Sequence, residues 1–433
     1  MKLFQRQYFL ILLFLFIFIG VDSAVAASQE APSIPITVNR LDDANYPHDV
    51  TFHLETDTAV PLTNATLTYN ISKFNCLDAA ANVPVEVTGN NLEWTWEMVR
   101  SGNPPPGTSV TWYWTVTDAD GRTHTTPAQT HTFSDDRYNW QTAESDNLKL
   151  HWYEGDVGPG LLNASVEAVD LLEDEMGIRL QDEVNIFIYG DTEDMRDAVL
   201  YIQDWAGGVA FTEYNVILMG VPPRLADTWG QDVVPHELAH LVVAQYGRSC
   251  LGGRRPTWLD EGLAVVAEGD PSPDIVHDLD TALADNSFEP LRSLNGAFSA
   301  HGPEAGVAYS QSYSVVDYLL ANYGREPMQQ LILTLADGSG YDEALEQVYG
   351  FNIDGLEQEW RTAVGVPQRD IPATPTPLSA AAIPTLIPQE AAQNVATLPA
   401  AAATAVSSAA ESEPAAAKPG LCNLALLPFL AIG

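Results

Sequence analysis

The stretch VVPHELAHLVV, residues 233–243, carries two histidines four positions apart, with a glutamate directly after the first. Residues i and i+4 lie on one face of a helix, so His236 and His240 can direct their imidazoles at one point. Neutral imidazole is a good zinc ligand. From its position, the Glu237 carboxylate can reach a water at the metal but not easily the metal itself, as a general base must. The alternative is an apolar helix with two partly exposed histidines that bind nothing.

The proline directly before the first histidine constrains where this helix starts. Pro235 has no N–H group and crowds the residue four positions earlier, so it is excluded from a deep helix interior. It is tolerated in the first turn, where N–H groups are unpaired. We therefore predict that the helix starts close to Asp232, with the Asp232 side chain as its N-cap.

A second stretch, RPTWLDEGLAVVAEG at residues 255–269, offers a third metal ligand. Catalytic zinc sites use three protein ligands and leave the fourth position open. Glu261 lies 21 positions after His240, and the apolar residues around it fit one packed helix face. A second helix against the first would hold this carboxylate opposite the histidines. The alternative is a solvated carboxylate near a helix start.

Together these two motifs resemble those of the gluzincin metallopeptidases, His-Glu-x-x-His enzymes whose third ligand is a glutamate on the next helix. The second motif is similar to the Trp-Leu-x-Glu-Gly-x-Ala signature of aminopeptidase N-like enzymes, and more closely to bacterial peptidase MA-like domains. The resemblance covers about residues 148–366. It implies that His236, His240 and Glu261 bind Zn²⁺ and that Glu237 is the general base.

The same resemblance implies a hydrogen-bond donor for the transition state. In aminopeptidase N-like enzymes a tyrosine at the start of a Tyr-x-Lys-Gly helix stabilises the oxyanion. Tyr309 stands at the similar place, with Gln311 and Ser312 where lysine and glycine would be. A neutral phenol can donate a hydrogen bond to an oxyanion, and Tyr313, one turn on, can do the same. Both tyrosines also fit a helix face that simply packs.

Three further residues are candidates for contact with the metal ligands or with the substrate. Glu268 matches the trailing glutamate of the family signature and is a candidate partner of the metal ligands. Gly207 and Gly208 begin the segment GGVAFTEYNVILMG, which sits where a substrate-facing edge strand is expected. Two glycines allow a peptide backbone to approach, although an ordinary turn before a strand explains them equally. The Gly-Ala-Met-Glu-Asn segment of aminopeptidases is absent, so recognition of a free amino terminus is not carried over.

Patterning outside the motifs divides the chain into segments. A short basic start, an apolar run and Ala-Val-Ala predict a signal peptide, the alternative being a retained membrane anchor. Alternating runs between turn clusters predict an all-β immunoglobulin- or fibronectin-like sandwich. The chain then predicts an α+β metallopeptidase domain, in which a small mixed sheet is followed by helices. The predicted boundaries are 1–26 for the signal peptide, 32–137 for the sandwich and 138–366 for the metallopeptidase domain.

The C-terminal part has a different composition. Residues 367–420 are rich in Pro, Ala and Thr and predict a disordered linker. Residues 421–433 are apolar but too short to cross a bilayer, so they are either the start of an anchor or a docking tail. Through this segment, association with the cell envelope is a possible partner interaction.

Composition narrows the function further. The net charge is −39, from 19 basic and 58 acidic residues, and such a polyanion repels the phosphates of nucleic acids. Cys76, Cys250 and Cys422 are too few and too far apart for a disulfide framework. The pairs Trp94 with Trp96 and Trp112 with Trp114 each share one face of a strand, as either sandwich core or a sugar-binding surface.

The expected function is therefore an exported zinc metallopeptidase, extracellular or at the cell surface, that acts on peptide or protein substrates. The alternative is a non-catalytic surface binding or adhesion protein with a degenerate or structural zinc site.

Overall fold

The computed structural model describes residues 34–74, 79–202, 206–249, 254–298 and 303–370. The predicted signal peptide, the tail segment 421–433 and all but the first residues of the predicted linker lie outside these ranges. The three cysteines also lie outside them.

Short antiparallel strands form the N-terminal part. They are β1 Ile36–Asp42, β2 Asp49–Thr56, β3 Leu62–Ile71, β4 Ala81–Pro84, β5 Asn91–Glu97, β6 Ser109–Asp118, β7 Thr123–Thr125 and β8 Gln129–Thr132. One sheet has the order β1-β2-β5, and the other has the order β4-β3-β6-β7 with β8 also paired to β6. A single apolar core draws side chains from both sheets, so the two sheets form the predicted all-β sandwich.

The tryptophan pairs divide between the centre and the margin of this core. On β6 every second residue is buried, and Trp112 and Trp114 are 4% and 0% exposed. Trp94 and Trp96, on the edge strand β5, are partly buried and pack against the same core. Alternate residues of a strand lie on the same face of a sheet. Both tryptophan pairs therefore belong to the sandwich core, which is the first of the two roles that the sequence allowed.

A mixed five-stranded sheet opens the second part of the chain. Its strands are β9 Gln141–Ser145, β10 Leu148–Trp152, β11 Val184–Tyr189, β12 Gly208–Phe211 and β13 Val216–Gly220. The order is β12-β13-β11-β10-β9, in which the three central strands run parallel and the two outer strands antiparallel to their neighbours. The sequence predicted the three central strands but not β9. It left β12 open between an edge strand and a turn, and the edge strand is what the structure contains.

Helices make up most of the rest. They are α1 Gly158–Leu171, α2 Thr192–Arg196, α3 Gln231–Tyr246, α4 Thr257–Ala267, α5 Pro273–Asp285, α6 Pro303–Tyr323, α7 Arg325–Ala336, α8 Tyr341–Tyr349 and α9 Ile353–Val364. After β13 the described chain is nearly all helical, which confirms the predicted α+β class. Among the described residues, no helix combines the length and the apolar character needed to cross a membrane.

A glycine in the second motif allows α4, the helix that carries this motif, to approach α6 closely. Gly262 lies on α4, and a Cβ atom at this position would stand 2.5 Å from the backbone oxygen of Ser312 on α6 and 2.5 Å from Val316 Cγ2. A carbon cannot occupy that space unless the helices separate. The glycine of the Trp-Leu-x-Glu-Gly motif is therefore required by packing, directly beside Glu261.

Gly262→Ala is expected to lower the free energy of unfolding by about 1–3 kcal/mol, because overpacking a rigid helix interface forces backbone shifts. The matched control is Gly296→Ala, since a Cβ atom there would meet nothing within 4 Å and the backbone angles of φ −93° and ψ 178° suit alanine. Urea unfolding of both variants measures the difference. Equal stabilities would contradict the packing argument.

Candidate metal centre

The helix that carries the histidine motif begins with an irregular turn. α3 starts at Gln231, close to the predicted position, but the prediction that Asp232 is its N-cap is wrong. Gly230 precedes the helix with helical backbone angles and no side-chain cap, because a π-helical turn over Ala226–Gly230 leads directly into α3. Pro235 cannot donate to the Gln231 carbonyl and crowds it, and the π-helical turn lies directly before the helix segment that this proline perturbs.

The two motifs meet at the contact between α3 and α4. His236 Nε2 lies 3.5 Å from Glu261 Oε2, and His240 Nε2 lies 3.7 Å from the same oxygen. One ligand atom from each of these three residues lies within 4.8 Å of the others. A tetrahedral ion with bonds of about 2.0–2.1 Å holds its ligands about 3.4 Å apart. The spacing therefore suits one small metal ion.

The donor atoms of this cluster are buried and lack hydrogen-bond partners. The side chains of His236, His240 and Glu261 are 1%, 2% and 0% exposed. Within the described residues, neither imidazole Nε2 and neither Glu261 carboxylate oxygen has a hydrogen-bond partner. Orphaned buried polar atoms are costly, and a cation that accepts their lone pairs removes the cost. The residues present therefore fit a bound metal ion.

A carboxylate behind the first histidine fixes its tautomer. His236 Nδ1 lies 2.7 Å from Glu268 Oε1, so a proton on Nδ1 is donated to this carboxylate and Nε2 keeps its lone pair for the cluster. Burial disfavours a charged imidazole, but the Glu261 and Glu268 carboxylates outweigh it and raise the pKa of His236 well above its usual value, so a metal ion that binds Nε2 displaces a proton from it. Glu268 therefore stands where the sequence placed it, beside a candidate ligand.

Two residues that the sequence analysis did not name stand behind the second histidine. His240 Nδ1 lies 3.7 Å from Asp260 Oδ2, and Arg255 Nε donates to Asp260 Oδ1 at 2.6 Å. Burial alone raises the pKa of Asp260, but Arg255 and His240 together hold it below its usual range. This carboxylate is therefore ionised and faces the ring of His240, at a distance longer than a hydrogen bond. Its signal in the sequence was slight: an acidic residue directly before the expected ligand, with an arginine five positions earlier.

Glu237 faces the cluster from α3 and is 1% exposed. Burial raises the pKa of Glu237 to about 7, against the opposing charges of His240 and His236. The Ala210 backbone on β12 partly offsets this rise, although neither carboxylate oxygen has a well-formed hydrogen bond. A carboxylate that titrates near neutral pH is matched to proton transfer.

The edge strand β12 passes directly over this carboxylate. A Cβ atom on Gly208 would lie 3.3 Å from Glu237 Oε1 and 3.3 Å from Met219 Cγ. The preceding Gly207 is close to the π-helical turn before α3, since a Cβ atom there would lie 3.0 Å from Trp229 Cζ2. Gly208 thus lies directly beside Glu237, and Gly207 lies beside the turn that leads into the histidine helix.

The two candidate tyrosines differ in their surroundings. Tyr309 is 1% exposed, and its ring centroid lies 6.4 Å from that of His236. Burial and then the charges of Glu261 and Glu237 raise its pKa well above the usual value, so its hydroxyl stays protonated. The charges that act on Tyr313 after burial are those of Asp317 and Asp270. Only Tyr309 therefore shares the electrostatic environment of the cluster.

Glu268→Ala is expected to weaken metal binding about 10- to 100-fold, because a ligand loses the partner that fixes its tautomer. Glu268→Gln keeps an acceptor for the His236 Nδ1 proton and should retain most of the affinity. Competition with a chelator measures both variants, with the exposed Glu326→Ala as a surface control. Unchanged affinity in Glu268→Ala would rule out this support.

Comparison with known proteins adds one family match. No curated protein matches the chain. Similar solved structures include a β-1,3-glucan binding domain of carbohydrate-binding module family 56, at 13% identity over 22% of this chain and 95% of that chain, with a TM-score of 0.16. The third fibronectin III domain of human KIAA0343 protein follows at 11% identity over 27% and 93%, with a TM-score of 0.19. At such TM-scores these likenesses carry no argument about function.

The family model described as Peptidase MA superfamily matches residues 164–366. This range contains both motifs, the three clustered ligands and Glu237. It supports a peptidase that acts on peptide or protein substrates and carries a metal ion. Residues 164–366 are therefore similar to the Peptidase MA superfamily.

Proposed function

We propose that this protein is an exported zinc-dependent metallopeptidase, with Glu237 as the general base of peptide hydrolysis. The single observation that carries the proposal is the buried cluster of His236, His240 and Glu261 with Glu237 beside it. Two imidazoles and one carboxylate are a ligand set of catalytic zinc sites that keep one position open. Zn²⁺ held there supplies Lewis acidity, which makes water more acidic and a carbonyl more electrophilic.

Glu237 performs the proton transfers in this proposal. Its carboxylate accepts a proton from the attacking water and then delivers that proton to the amine that leaves. Burial provides the basicity for the first transfer. Tyr309 keeps its proton and donates a hydrogen bond to the oxyanion that develops on the scissile carbonyl.

The substrate binds along β12 in this proposal. β12 is the outermost strand of its sheet among the described residues, and an extended peptide can add to such an edge through main-chain hydrogen bonds. Gly207 and Gly208 present no side chains there, so a peptide backbone can approach Glu237. Nothing in this arrangement selects a free amino terminus.

A binding or adhesion protein with a structural metal is the second candidate. A structural zinc site is closed by four protein ligands, whereas three cluster among the residues that the structure describes. Burying the Glu237 carboxylate beside them, without good hydrogen bonds, costs stability that a purely structural site has no reason to bear. A screen against denatured protein and peptide mixtures, with and without chelator, separates the two functions.

Export and surface location are proposed from the first 26 residues, and envelope association from residues 421–433. Both segments lie outside the described ranges.

Glu237→Gln is expected to keep the metal and lower kcat by about 10²- to 10⁴-fold, because the base is lost while the ligands remain. His236→Ala and Glu261→Ala should instead lose the metal itself. Metal content by elemental analysis, together with hydrolysis of a quenched fluorescent peptide, measures all three variants. Near-stoichiometric zinc in both ligand variants would overturn the site, and full activity of Glu237→Gln would overturn the base.

Tyr309→Phe is expected to lower kcat by about 10²-fold with little change in KM, because its hydroxyl acts only on the transition state. Tyr313→Phe is the matched control and should leave kcat within about twofold of wild type. Steady-state kinetics on the same peptide decides between them. Equal effects of the two substitutions would show that both tyrosines serve only packing.

A further inference from the structure

The edge strand β12 is flanked on both sides by chain that the β-sandwich holds. Residues 198–201 precede it, and the turn at residues 212–215 follows it. Each flank is bound to a different loop of the sandwich. β12 itself has four residues and pairs only with β13, and so short a strand with one partner is weakly fixed by its own ladder.

An asparagine side chain of the sandwich forms two hydrogen bonds with the backbone of the first flank. Asn103 is 9% exposed. Its Nδ2 donates to the Ala198 carbonyl at 3.0 Å, and its Oδ1 accepts from the Leu200 N–H at 2.8 Å. The amide thus pairs with the flank as a neighbouring strand would. Leu200 also packs against the apolar core of the sandwich, and the Tyr201 hydroxyl donates to the Val99 carbonyl.

A second contact holds the turn after β12. Lys73 Nζ lies 2.8 Å from Glu213 Oε2 and 5.0 Å from the centroid of the Tyr214 ring. The Phe74 backbone N–H donates to the Glu213 carbonyl at 2.8 Å. The turn therefore has a main-chain bond, an ion pair and a cation–π contact to the end of β3.

We propose that Asn103 and Lys73 are positioning residues, through which the β-sandwich holds β12 over Glu237 and sets the width of the substrate cleft. This inference rests on the proposed peptidase function for its kinetic consequence. The geometric part stands on the contacts of the two flanks with the sandwich and on the short distance from Gly208 to the Glu237 carboxylate. The sandwich is then part of the active unit, and not an independent binding module attached to it.

The first test compares two asparagine-to-leucine substitutions in the full chain. Asn103→Leu removes both hydrogen bonds to the first flank and leaves the Ala198 carbonyl and the Leu200 N–H without this partner. Asn39→Leu is the matched control, because Asn39 bonds only within the sandwich, to Thr126 and Trp112. For an extended peptide, Asn103→Leu should raise KM about tenfold with kcat and zinc content nearly unchanged. Asn39→Leu should change the thermal stability but not KM.

A pair of charge reversals tests the second contact. This test remains informative even if Asn103→Leu does not fold. The Lys73 and Glu213 side chains are 34% and 49% exposed, so substitution there is tolerated. Lys73→Glu and Glu213→Lys should each raise KM about threefold, and the double variant should return it toward the wild-type value. A merely structural role does not produce such a rescue in KM.

Hydrogen exchange of the zinc-loaded protein separates this inference from the proposed function. Asn103→Leu should speed amide exchange over residues 206–216, whereas Asn39→Leu should not. If the wild type hydrolyses no peptide, the proposed function is wrong. The exchange result then still decides whether Asn103 holds β12 in place. Equal KM values or equal exchange rates for the two leucine variants would overturn the positioning role, as would loss of the rescue in the double variant.

Discussion

Burial of ionisable groups around one point is the constraint on which the rest of this domain depends. His236, His240, Glu237 and Glu261 are each at most 2% exposed, and several of their polar atoms have no partner in the described chain. An apolar interior tolerates such groups only when opposite charge is supplied. A divalent cation bound by the two histidines and Glu261 provides that charge. The site is therefore costly to the fold without its metal and stabilising with it.

The surrounding carboxylates divide into two that face the ligand histidines and Glu237, which is the general base in our proposal. Glu268 and Asp260 each face the Nδ1 atom of a different histidine, so both rings present Nε2 to the same point. Arg255 keeps Asp260 ionised by direct pairing. For Glu237 the charges of His240 and His236 offset only part of the effect of burial, and its pKa is raised to about 7. Similar side chains thus take different roles because their neighbours differ.

The sequence predicts the parts of this arrangement that depend on helical periodicity. Spacing on one helix face brings His236 and His240 together. The helix that carries Glu261 has an apolar face, and this face predicts that the helix packs against the histidine helix. The N-cap expected at Asp232 is wrong because the turn before α3 is itself helical, and no local signal in the sequence distinguishes a π-helical turn from a loop. Asp260 was missed because its role depends on a contact across two helices.

Strand β12 shows most clearly where local reasoning ends. Its four residues begin with a glycine and have neither the length nor the alternation that predicts a strand. Their conformation comes from β13 on one side and from the sandwich residues that hold both flanks. An isolated peptide-binding edge needs rigidity more than affinity, because a displacement of about 1 Å is enough to misplace a scissile bond. In our proposal the sandwich supplies that rigidity from outside the helical domain, which gives a physical reason for its place directly before the metal centre in the chain.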